Sequence, residues 1–175
     1  HCSYGGDPGN LSSATWNSAN GLIAEDWRQI YRLIADANNA IYNISAMKSI
    51  TDAQKSQFLA ELKFLRAAAY SDLTDLWGPV VLVTEKDVAN PAYTSNAPVT
   101  SVADIESFLI NDLNNSISVL PVSYDNNSIY ASNDAGRATK GAAMTLLMRL
   151  YLRQHQWQKS ADMAKQVMDL NIYQL

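Results

Sequence analysis

The sequence is short of the residues that carry most chemistry. Its 175 residues hold one cysteine, Cys2, and two histidines, His1 and His155. A lone cysteine closes no disulfide within the chain and builds no thiolate metal cage. Neither an HExxH zinc pattern nor a GxxxxGKS/T phosphate loop occurs, and no cofactor or metal is expected. Basic residues are also few: 13 Lys and Arg stand against 17 Asp and Glu, a net charge of −4. Phosphate backbones are held by clustered Lys and Arg, so nucleic acid is excluded as a main partner. No apolar run approaches the ~20 residues of a membrane helix. The N-terminal HCSYGGDPGN has neither a basic nor an apolar signal region. The chain is expected to be a piece of a longer protein.

Charged residues make up only 17% of the chain, while 47% are hydrophobic. That balance rules out wholesale disorder and suits one domain with a buried core. Polarity comes instead from amides and hydroxyls. The 15 asparagines are roughly twice the usual share.

Hydrophobic spacing predicts an all-α fold with long irregular loops. Residues 1–20 read as a loop rich in Gly, Ser and Asn. Residues 22–78 read as a helical hairpin. Its first helix carries Ile23, Trp27, Ile30, Ile34, Ala37, Ile41 and Ile44 on one stripe. Its second opens on a Thr51–Gln54 capping box, carries Phe58, Leu62, Leu65, Ala69, Leu73 and Leu76, and stops at Gly78-Pro79. Residues 79–100 read as a loop containing a short β-type run, VVLVT, at 80–84. Residues 101–120 form a further helix and 139–170 a second hairpin, turning at His155 and Gln156. Leu147, Tyr151, Trp157, Ala164 and Val167 sit near the packing positions of a tetratricopeptide repeat, with Ser160 where alanine is usual. Gly141 inside a helix signals a tight helix contact.

Candidate chemistry is sparse. Asp72 and Asp75 share a helix face, as do many solvated carboxylate pairs. Glu61 and Arg66, near the middle of the same helix, read as a structural ion pair or a helix-end contact. The Asp- and Asn-rich stretch from Asp125 to Gly136 fails calcium-loop spacing, because its third ligand position falls on Ile129. The aromatics are more suggestive. Loop rings at Tyr4, Trp16, Tyr93, Tyr124 and Tyr130, and Trp77 at the Gly-Pro corner, offer surfaces for sugar stacking, while Asn side chains meet hydroxyls. Trp27, Tyr31, Tyr151 and Trp157 lie on helix stripes and are expected in the core.

Four blocks then add up to a resemblance. WRQIYRLIADANNAI (27–41), AELKFLRAAAYSDLTDLWGPVVLV (60–83), DIESFLINDLNNSISVLP (104–121) and GRATKGAAMTLLMRLYLRQHQWQKSADMAKQVM (136–168) resemble, in order, the segments of the SusD/RagB family. The family's Gly-Asp-x-Pro corner is here Gly78-Pro79, without the Asp. The resemblance implies tetratricopeptide-like hairpins in a non-catalytic lipoprotein on the outer membrane of Gram-negative bacteria. Such a protein binds a nutrient, usually an oligosaccharide or polysaccharide, beside a SusC-like TonB-dependent transporter. It is held to the membrane only by a lipid anchor, which this chain is not expected to carry, since His1 precedes Cys2. Trp16, Asn17, Trp77 and Tyr93 are the expected glycan contacts. The competing expectations are a peptide-binding RagB-like lipoprotein and a helical-repeat scaffold with no small ligand. An enzyme is the least favoured.

Overall fold

A computed structural model describes residues 6–17, 19–90, 97–125, 129 and 136–173. Among them the chain is all-α, built of packed helices with one two-stranded clip. Helix α1 spans Gly6–Ser12, α2 Gly21–Ala46, α3 Asp52–Trp77, α4 Val102–Val119, α5 Lys140–Arg153 and α6 Trp157–Asp169. Strands β1 (Val80–Val81) and β2 (Val99–Thr100) pair antiparallel, Val80 opposite Thr100.

Local chemistry sets most boundaries. The Asn20 side chain accepts from the amides of Leu22 and Ile23 and so starts α2. Thr51 and Gln54 form the expected reciprocal capping box on α3. Ser101 and Thr139 cap α4 and α5 through single side-chain acceptors. Gly78 ends α3 at φ +72°, a conformation that suits glycine.

The helices alternate in direction. Lys55 meets the Ser45 carbonyl, Arg66 meets Asn38, and Trp77 meets Trp27, so α3 runs antiparallel to α2. Ser116 donates to the Ala60 carbonyl and Arg66 holds Asp112, which sets α4 antiparallel to α3. The core is one apolar cluster centred on Ile34, Tyr70, Leu73, Ile105, Leu109, Leu113 and Leu147.

Several expectations are corrected. Residues 1–20 are not all loop: α1 lies within them, with Pro8 in its first turn, where its missing amide costs nothing. The stripe expected on α3 fails at Leu65 and Leu76, which are exposed. Helix α3 is flanked by α2 and α4, so it buries Gln57, Glu61, Arg66, Ser71 and Thr74 as well as apolar residues. Trp157 is 59% exposed rather than core. It opens α6, which buries only Ser160, and its ring tilts against His155 instead. Trp27, Tyr31 and Tyr151 pack half-buried against the core. The tight contact at Gly141 is with the Tyr173 ring, not with a helix.

Candidate functional site

The antiparallel pairing brings the end of α3 against the beginning of α2. Their rings meet there: Trp27 and Trp77 touch edge-on at 5.3 Å between centroids, and Trp27 and Tyr31 lie tilted at 4.9 Å. Such geometries suit the ring quadrupoles. The segment before α2 crosses this end and adds Trp16 and Asn17, while α1 adds Leu11. Together they wall an open groove of about 990 Å³, which also takes in Ile23, Asp26, Arg28 and Leu76. That volume falls at the upper end of ordinary small-ligand sites.

The structure thus brings Trp16, Asn17 and Trp77 to one groove. Tyr93 lies outside the described residues, as do Cys2, Tyr4 and Tyr130. Trp16 is 52% exposed, so about half of its surface is open to solvent. Asn17 Oδ1 already accepts from the Ala19 amide at 2.9 Å, which leaves Nδ2 as its free donor. Trp27, Asp26 and Leu11 were not singled out from sequence as groove residues. Trp27 sits on a helical stripe and reads as core. Its place two turns into α2, next to the loop that bears Trp16, was the available signal.

Behind the rings the wall is rigid. Tyr31 donates its hydroxyl to the Val81 carbonyl, and Tyr70 accepts from the Val83 amide at 2.7 Å. Burial pushes both phenols above their ordinary pKa, so both remain neutral donors. Arg66, 1% exposed, ties the layers together. It reaches Asp112 at 2.8 Å, Asn38 at 2.6 Å and Glu85 at 2.5 Å.

Glu61 and Arg66 are structural, as expected, but not as partners of each other. Glu61 accepts from Arg137 at 2.5 Å and from Tyr124 at 3.1 Å, pinning both flanks of the 122–137 stretch to α3. Asp72 is exposed, whereas Asp75 is paired with Arg153. Among the described residues no group of His, Cys, Asp or Glu is placed to hold a metal.

Antiparallel helical hairpins around one core, with a groove where two helix ends meet a crossing loop, define the class: a tetratricopeptide-like all-α protein. The chain belongs to the SusD-like family, described as starch-binding associating with outer membrane, whose model matches residues 9–152. A SusD-like protein of Bacteroides ovatus is 33% identical over 135 residues, covering 75% of this chain. A SusD-like carbohydrate binding protein of Bacteroides fragilis superposes with a TM-score of 0.76 at 28% identity over 89% of the chain. A laminarin binding SusD-like protein gives 0.72 at 27% identity over 81%. The chain spans 22% of the first of these relatives and 29% of each solved chain.

Proposed function

We propose that this chain is the helical, ligand-contacting part of a non-catalytic glycan-binding lipoprotein of the bacterial outer membrane. The convergence of Trp16, Asn17 and Trp77 on one open groove carries the reading. Exposed rings stack on the apolar faces of sugars, and each stacked pair adds roughly 0.5–1.5 kcal/mol beyond its area. Two or three such contacts with hydrogen bonds give micromolar-to-millimolar affinity. That range suits capture and release beside a SusC-like TonB-dependent transporter. Tyr93 is proposed as a further contact.

The helical hairpins serve as scaffold and as the transporter-facing surface. Trp157 and Leu152, both exposed on the last hairpin, favour a protein contact there. A peptide ligand has less support, because no unpaired cation lines the groove among the described residues to hold a peptide carboxylate. Its one Arg, Arg28, is engaged by Glu25 at 2.6 Å.

The test is a screen of neutral oligosaccharides and peptides against the intact protein, followed by Trp16→Ala. The expected result is glycan binding that falls about tenfold in the variant, the loss of one good stack. Because Trp16 is half exposed, Tm should move by no more than ~2 °C. Failure to bind any glycan overturns the reading. A Tm loss of several degrees makes Trp16 a packing residue and removes it from the site.

A further inference from the structure

The groove runs on beyond its aromatic end. A second depression of about 470 Å³ shares Asp26 and Leu76 with the first and continues between α2 and α3, past Gln29, to Asp72 and Asp75. One end of the run is therefore walled by rings and the other by carboxylates. Asp26 stands at the junction, exposed and beside Trp27. Neither Asp26 nor Asp72 is hydrogen-bonded or ion-paired to another described residue.

The nearby cations are already engaged. Arg28 lies 2.6 Å from Glu25. Gln29 and Arg28 hydrogen-bond that carboxylate and hold it below its ordinary pKa, so it remains charged and keeps its hold on Arg28. Arg153 is bound by Asp75 and, at 2.9 Å, by Glu106. Arg149 faces Asp75 at 3.8 Å.

We infer that this groove selects uncharged glycan chains over those bearing uronate or sulfate groups, with Asp26 as the selecting residue. The inference rests on the glycan-binding reading above. A neutral sugar presents hydroxyls, and a carboxylate accepts from them in charge-assisted hydrogen bonds. A uronate or sulfate in the same place brings a charge like that of Asp26, and the one guanidinium that lines the aromatic groove among the described residues, Arg28, is already paired with Glu25. Within the ~8 Å Debye length of physiological salt that repulsion is only partly screened.

The experiment uses the intact protein and pairs of ligands. Each neutral oligosaccharide found to bind is titrated calorimetrically beside its own C6-oxidised, uronate-bearing form, at low and at physiological salt. The oxidised form should bind at least about tenfold more weakly, with a gap that narrows as salt rises. Asp26→Asn should shrink the gap severalfold, and Asp26→Lys should invert it. The readout is the ratio of two affinities, and circular dichroism confirms that each variant folds.

Equal or tighter binding of the oxidised forms overturns the inference alone. So does a gap that Asp26→Asn leaves unchanged, because selection then lies elsewhere. A protein that binds no glycan, neutral or oxidised, overturns the binding reading and this inference with it.

Discussion

Arg66 is a full positive charge buried in the middle of α3, and three groups from three other segments answer it: Asn38 from α2, Asp112 from α4 and Glu85 from the turn after β1. Its guanidinium also lies over the Phe108 ring at 4.8 Å. Removing one partner of such a set leaves the others desolvated and unpaired. Arg66→Met should therefore cost about 3–5 kcal/mol in urea denaturation, far more than the lost packing alone. Adding Asp112→Asn to that variant should recover part of the loss, because the stranded buried charge is then gone. Equal stability of the single and double variants would show that Asp112 is not the stranded partner.

Within α5, Gly141 faces the ring of Tyr173. A Cβ built there would come within 2.8 Å of the Tyr173 Cε2. The ring is 55% exposed, so it has room to give way. Gly141→Ala should gain about 1 kcal/mol of helix propensity in a Tyr173→Ala background, and less when the ring is present. A double-mutant cycle by urea melts reads the difference, and additivity would remove the contact.

The stripes of α2 and α4 were legible in sequence because each buries one face: Ile34, Ala37 and Ile41 on the first, Ile105, Leu109 and Leu113 on the second. The burial of α3 was not legible in the same way. It is packed on two sides, and half of what it buries is polar, with Gln57, Glu61 and Arg66 satisfied by partners far away in sequence. Helix α1 hid behind GDPG, which reads as a turn unless Pro8 is recognised as a helix-start residue. Of the groove, Trp16, Asn17 and Trp77 stood out as an amide and two rings at loops and corners. Trp27 did not, since nothing local says that the far end of α3 opens beside it.

For the molecule as a whole, the Arg66 cluster sets a pH dependence with two opposed parts. Burial pushes the Glu85 carboxyl up, but the Arg66 hydrogen bond and charge together hold it below its ordinary 4.5. As pH falls below 4.5 the unfolded chain takes a proton that the folded chain refuses, and stability is lost. Asp112 acts in the other sense. Burial raises it above its ordinary 3.8 against the pull of Arg66, so its contribution is fully present below 3.8 and is lost as pH rises through the folded value. Glu85→Gln should flatten the acid-side fall in Tm, and Asp112→Asn should steepen it. Calorimetry between about pH 3 and 7 checks both.

The β1–β2 pair has a consequence for how the chain tolerates change. Two residues on each side, clamped just after α3 and just before α4, fix where the intervening stretch leaves and returns. Tyr31, Tyr70 and Asn38 anchor its first residues through the backbone of Val81 and Val83. The pair itself holds the end of α3 beside the start of α4, whatever the length of chain that joins Val81 to Val99. Closure entropy grows only with the logarithm of loop length, so doubling that span costs about 0.6 kcal/mol. The position is a natural graft point, where longer or differently composed segments can be fitted beside the helices without moving their register.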